Sequence, residues 1–315
     1  MSVRHAAAWV LLASAVVACG VGFQSEATGS GGTGADGASA GHGQGGPGGP
    51  GGAGGVAPGG TGGTGAGIPT GGAGAGGEAA GLTDEGLLVR YFVSEGTSGA
   101  ATGTLFDASV NGVDLALEPG GNLQWSTTAT GAALRWSQPE APGKASIASV
   151  GGTSLASLDG AIHLTFEIVA GPLQSSANNG ARLFHAGNGS NGYIAISMSD
   201  SHDPVFRLAN VDVATWPVPM NDGRHVWHAV LDLDAATDAQ KVRLYRDGAL
   251  VPGVVVLGAI AAQTTLGPSE PFVLGNRMGA DRAPAGDVHY FAIYDVELSL
   301  PAIAQNVARL AANDD

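Results

Sequence analysis

Ala161-Ile162-His163-Leu164-Thr165-Phe166-Glu167-Ile168-Val169 is the stretch that decides the fold. Ile162, Leu164, Phe166 and Ile168 fall on one side of an extended chain and His163, Thr165 and Glu167 on the other, the period of two that predicts a half-buried β-strand. The same alternation recurs at residues 87–93, 193–198, 225–234, 241–247 and 287–296, between clusters of Gly, Asn, Asp and Pro. No long amphipathic helix separates these segments, so the crossovers that a parallel sheet requires are missing. What remains is an all-β domain over residues 86–315, two antiparallel sheets stacked as a sandwich. A short helix closes it: Ser299 in the capping position, Pro301 in the first turn, and Ile303, Val307 and Leu310 on one face.

Outward from this body the composition changes. The chain has 315 residues, of which 54 are glycine and one is cysteine, and glycine so abundant has to be concentrated outside the packed part. About half of residues 29–77 are glycine, the ionisable groups there are Asp36 and His42, and no aromatic lies between Phe23 and Tyr91. A segment with nothing to bury cannot offset the entropy of ordering its backbone, so residues 19–85 are expected to form a disordered Gly-rich tether, with His42 a solvated residue of it. The register breaks at Gly59-Gly60-Thr61-Gly62-Gly63, which argues against a collagen repeat. A tether of about 60 residues reaches roughly 45 Å.

Before the tether, Arg4 and the uncharged run of residues 6–18 read as a signal peptide, residues 1–18, too short for the roughly 20 apolar residues of a membrane span. The formal net charge of −14 leaves no basic surplus and argues against nucleic acid and anionic membrane surfaces as partners. With a single cysteine the exported body has no disulfide, so its stability has to come from its core.

Two resemblances sharpen this reading. Val16-Val17-Ala18-Cys19-Gly20 resembles the bacterial lipobox, which implies that Cys19 is lipidated and becomes the mature N-terminus; Gly20 after it favours the outer membrane or cell surface. Several acyl chains on one residue hold stably where a single chain holds only marginally. The match departs from the commonest pattern at Val16 and Val17. In the body, Asp222-Gly223-Arg224-His225-Val226-Trp227-His228, Leu244-Tyr245-Arg246-Asp247-Gly248, Phe272-Val273-Leu274-Gly275-Asn276 and Ala292-Ile293-Tyr294-Asp295-Val296 follow one another as in laminin-G-like and pentraxin-like domains. The order resembles the concanavalin A-like lectin/glucanase superfamily, which implies a jelly roll with a concave face. On the residues alone, Trp227 is a core anchor and Asp247-Gly248 a tight hairpin turn.

Few residue patterns point to catalysis. Retaining glucanases need paired carboxylates, and the nearest candidates, Asp232-Leu233-Asp234 and Asp295-Val296-Glu297, supply two acids each where the superfamily's strand has three. No Gly-x-Ser-x-Gly elbow follows a strand, and Gly187-Asn188-Gly189-Ser190-Asn191-Gly192 reads as a flexible hairpin. His225 and His228, three apart in a strand, point to opposite faces and do not chelate one zinc. Calcium is the one metal the resemblance brings: Asp200, His202 and Asp203 form a loop of the suitable kind, with a solvated turn as the alternative. Trp125, Trp136 and Trp216 are candidate platforms for stacking sugars, or else core. The expectation is a non-catalytic envelope lipoprotein, membrane-bound only through its lipid, whose domain binds an extracellular glycan or protein. A structural envelope module without sugar affinity and an unusual glycoside hydrolase are the alternatives.

Overall fold

The computed structural model describes residues 81–93, 98–129, 131–176, 180–188 and 193–311. The expected signal peptide, Cys19, His42 and the expected tether up to residue 80 lie outside the described residues, as do positions 189–192 of the expected hairpin. In chain order the strands are β1 Leu87–Phe92, β2 Gly99–Ala100, β3 Gly103–Leu105, β4 Leu115–Glu118, β5 Leu123–Thr128, β6 Gly131–Trp136, β7 Lys144–Ile147, β8 His163–Ala170 and β9 Arg182–Gly187. They continue with β10 Tyr193–Met198, β11 Pro204–Leu208, β12 Val211–Thr215, β13 His225–Asp232, β14 Val242–Arg246, β15 Ala249–Leu250, β16 Val255–Val256, β17 Phe272–Leu274 and β18 Gly286–Tyr294. Helix α1 is the single turn Asp238–Lys241, and α2 is Leu300–Leu310.

The strands form two antiparallel sheets of nine, a jelly-roll sandwich. The first runs β15-β14-β13-β8-β18-β6-β5-β2, with β1 also on β18; the second runs β16-β12-β11-β10-β9-β17-β7-β4-β3. The main core lies between them. Phe166 and Phe291 of the first sheet meet Phe184, Phe206 and Phe272 of the second, with Phe166 stacked on Phe184 at 4.5 Å. Such aromatic pairs add about 0.5–1.5 kcal/mol each beyond the area they bury. Trp227 is buried in this core, and Asp247 and Gly248 both take positive φ at the β14–β15 turn.

The strand that opened the reading corrects it in one respect. β8 runs from His163 to Ala170 and is buried on both faces, where the alternation predicts one buried face. Its second face is covered because α2 returns across the outside of the first sheet and packs Ile303 and Leu310 against Val169, Val226, Val230, Tyr290 and Tyr294. The Ser299 hydroxyl caps α2 by accepting from the Ala302 N–H. Residues 81–85, placed in the tether on composition, join this layer: Leu82 is buried and the Thr83 N–H donates to Asn306 Oδ1 at 3.0 Å.

The polar residues of that face therefore bond to one another inside the protein. Glu167 is wholly buried. Its Oε1 meets His228 Nε2 at 2.8 Å, and its Oε2 accepts from Tyr294 at 2.7 Å, Tyr290 at 3.1 Å and Asn306 at 3.2 Å. Arg90 completes the cluster through Tyr290 and Asp84. Burial alone would raise the Glu167 pKa, but hydrogen bonding and charge from His228 and the bonds from Tyr294 and Asn306 outweigh it and hold the carboxyl below its ordinary range.

Candidate functional site

The outer face of the second sheet is arranged differently. A cavity of about 500 Å³ opens there, between β9, β10 and β11 on one side and the loop after β17 on the other. Its ionisable and aromatic lining consists of Arg182, His185, Tyr193, Arg207, Arg277 and Arg282, and no carboxylate lines it among the described residues.

Arg182 and His185 reach the same side by way of an irregularity. Three apart in a regular strand, they would face opposite ways. Between β9 and β10 the register shifts: Ile196 is opposite Phe184, but Ser197 is opposite Arg182. The extra residue, Leu183, is buried in the core together with Phe184, and Arg182 is turned outward. Opposite His185 stands Ala195, which is also opposite Arg207 on the other flank.

Tyr193 holds the group together. Its hydroxyl accepts from Arg182 Nε at 3.0 Å, its ring meets His185 edge-on at 4.5 Å, and the Arg207 guanidinium lies 5.7 Å from its centroid. Arg182 also donates through Nη1 to the Gly180 carbonyl at 2.8 Å. Arg207 pairs with Asp212 at 2.9 Å, and Arg277 is bidentate to Asp281 at 2.5 and 2.6 Å. Arg182 has no carboxylate partner among the described residues, although it is 6% exposed.

The loop that carries Arg277 and Arg282 is built by the Gly275-Asn276 pair of the motif already noted. Gly275 has φ +73°, and a Cβ there would lie 1.9 Å from the Trp136 ring. Asn276 is fully buried; its amide donates to the Ala141 and Gly143 carbonyls, and its Oδ1 accepts from the N–H groups of Arg277 and Arg282 at 2.9 and 2.8 Å. Lys144 ties the loop down by donating to the Met278 carbonyl at 3.3 Å.

Charge in the cavity is mutually repulsive. Burial lowers the Arg182 pKa and the neighbouring Arg207 and Arg282 lower it further, partly opposed by Tyr193. His185 is pushed down to about 4, first by burial and then by Arg182, Arg277 and Arg207, against the raising effect of its bond to the Gly187 carbonyl. His185 is therefore neutral at pH 7 while guanidiniums surround it.

The residues singled out from the sequence lie elsewhere. Trp136 and Trp216 are buried in the core, so neither is a stacking platform; Trp136 donates its Nε1–H to Gly143 at 2.9 Å. Trp125 is partly buried against the same core. His225 sits beside Trp227 on the core side of β13, and His228 points the other way, into the Glu167 cluster. At the proposed calcium loop, His202 Nδ1 accepts from the Ser175 N–H at 3.1 Å and Ser199 accepts from the Asp203 N–H, so the turn is stabilised by its own hydrogen bonds. The two acidic pairs are brought together in a way the sequence did not signal: Asp232 and Glu297 converge with His163 within 4.8 Å. Arg243 lies among them, 2.7 Å from Glu297, and neutralises much of their charge.

These observations define the class, a lectin-like β-sandwich with an open, cationic pocket on the outside of its second sheet. Residues 158–304 match the laminin-G type 3 family model, described as the concanavalin A-like lectin/glucanases superfamily. Among solved structures, the chain is similar to the binding domain of botulinum neurotoxin serotype D/C, with 12% identity and TM-score 0.51 over 71% of this chain and 52% of that one. It is also similar to domain 4 of an extracellular arabinanase from Geobacillus stearothermophilus, solved with arabinotriose: 14% identity and TM-score 0.49 over 70% and 98%. Trypanosoma rangeli sialidase in complex with sialic acid gives 13% identity and TM-score 0.47 over 72% of this chain and 33% of that chain, so the chain spans about a third of the sialidase's length. No curated protein is significantly similar in sequence. No helix among the described residues is long and apolar enough to cross a membrane.

Proposed function

We propose that this protein is a non-catalytic, lipid-anchored module of the bacterial envelope whose domain binds an extracellular glycan in the arginine-lined pocket. The observation that carries the reading is the lining itself: hydrogen-bond donors and a tyrosine, without a carboxylate among the described residues. Glycoside hydrolysis usually takes two carboxyl groups flanking the scissile bond, and a tyrosine nucleophile would need a base beside it. The Tyr193 hydroxyl instead accepts from Arg182. A botulinum neurotoxin type C structure is similar in fold, and cell entry of that toxin is dependent upon interaction with two ganglioside molecules. Cys19, as the lipidated residue, and the glycine-rich tether would hold this pocket clear of the outer membrane or cell surface.

A glycan array probed with the purified protein, with and without calcium, tests the binding; enrichment of no glycan over background would sink it. Release of reducing sugar from a polysaccharide panel would make the protein an enzyme. Protease treatment of intact cells producing the chain and its Cys19→Ser variant tests the address: the native form is expected to stay cell-bound and be digested from outside. A second reading, docking on another envelope protein, is favoured by the apolar edge of the second sheet, where Val211, Val255 and Leu257 are about half exposed.

A further inference from the structure

We propose that the pocket on the second sheet is built for the oxyanion of an acidic saccharide, a sugar carboxylate or sulfate ester, with Arg182 as its principal partner and Arg282 and Arg277 at its mouth. This rests on the glycan-binding reading and narrows it.

The chain carries 13 basic residues against 27 acidic ones, yet Arg182, Arg207, Arg277 and Arg282 gather around one cavity. Although acidic residues outnumber basic ones about two to one in the chain, no carboxylate lines this cavity among the described residues. Asp212 and Asp281 neutralise Arg207 and Arg277 from outside the lining. Arg182, the most buried of the group, is left with neutral oxygens only, from Tyr193 and Gly180, and its Nη2 donates to nothing among the described residues.

A guanidinium that is largely buried and has no anionic partner is costly to keep, so a fold that keeps one has to be compensated elsewhere. A bound anion would supply that compensation. Guanidinium presents a planar fork of donors that matches the paired oxygens of carboxylate or sulfate, and does so best where water is excluded. His185 in the lining is held neutral first by burial and then by the charges of Arg182, Arg277 and Arg207, so it adds no cation of its own to the site. At about 500 Å³ the cavity lies within the size range of small-ligand pockets and would admit a terminal sugar unit. The positions of the arginines are specified by structure: a bulge turns Arg182 outward and Asn276 fixes the loop that presents Arg277 and Arg282.

Titration calorimetry of the purified protein with trigalacturonic acid, a sulfated chondroitin disaccharide, neutral galactotriose and inorganic sulfate tests this. One or both acidic saccharides are expected to bind at least about tenfold more tightly than galactotriose, the stronger of the two identifying the oxyanion, and to weaken several-fold between 50 and 500 mM NaCl. Arg182→Gln and Arg282→Gln should each lower that affinity about tenfold or more, Arg182→Lys should not restore it, and Arg246→Gln, outside the pocket, should leave it unchanged. Thermal melts establish that the Arg182 variants are folded, and Arg282→Gln, at a partly exposed position, gives an answer even if they are not. Equal binding of neutral and acidic sugars, or affinity indifferent to both variants, overturns the inference while glycan binding stands. Binding of inorganic sulfate without any saccharide overturns both.

Discussion

The two sheets treat buried charge on their outer faces in opposite ways. Outside the first sheet, Glu167 is sealed beneath α2 with His228, Tyr290, Tyr294 and Asn306 around both of its oxygens. Outside the second, Arg182 lies beside an open cavity with two neutral acceptors and three further guanidiniums nearby. A buried charge whose partners are all supplied by the fold cements the fold. A buried charge left short of its partners at the wall of a cavity marks a place where something else completes the set.

The largest expected effect breaks the sealed side. Glu167→Ala removes the acceptor of four groups from two strands and a helix, and is expected to cost about 3–5 kcal/mol in denaturant unfolding at pH 7. If unfolding showed less than about 1 kcal/mol, the cluster would not be the lock described and the contrast between the faces would fail. Next comes the loop of the open side. Gly275→Ala places a Cβ against Trp136 at a positive φ and is expected to cost about 1–3 kcal/mol. It should also weaken ligand binding, because Asn276 and both loop arginines move with it; unfolding and calorimetry on the same variant separate the two effects.

Asn306→Ala is smaller, about 1–2 kcal/mol, because it strips one donor from Glu167 and the acceptor of the Thr83 N–H. Hydrogen exchange should then rise in α2 and leave β9–β11 protected. The smallest effect sharpens the comparison through pH. His185, held near 4 when folded and near 6.5 when unfolded, stays neutral in the native state while the unfolded chain takes up a proton. Stability therefore falls as pH drops from about 6.5 toward 4, by about 1–2 kcal/mol between pH 7 and 5. Glu167 has a depressed folded pKa, so its contribution is fully present above the ordinary glutamate range and is lost only as pH falls through and below it. Denaturant midpoints measured from pH 7 to 3, with His185→Gln as the control for the upper window, should show the open face responding first.

Particular residues show what was legible. The period of two located β8, β10, β13 and β18 because strand alternation is a local property. Ser299, Pro301 and the Ile303/Leu310 face announced α2, and Asp247-Gly248 announced its turn, for the same reason. The pocket was not legible. Its arginines are scattered over a hundred residues, the net charge hides them, and Arg182 and His185 have the wrong spacing for one face until the β9 bulge is known. A signal existed: an arginine and a histidine inside the apolar strand Arg182-Leu183-Phe184-His185-Ala186-Gly187, on a chain poor in both. Glu167 was read as a solvent-side residue, since alternation says which face a side chain takes and nothing about what later covers that face.

By itself the sequence determined the pleat, the turns, the terminal helix and the resemblance to lectin-like sandwiches, because each depends on residues within a few positions of one another. Only the tertiary structure decided that one polar face is closed by a returning helix and the other left open. Which charges end up buried together is set by contacts across a hundred residues or more, and the free energy of a buried charge depends on its neighbours in space.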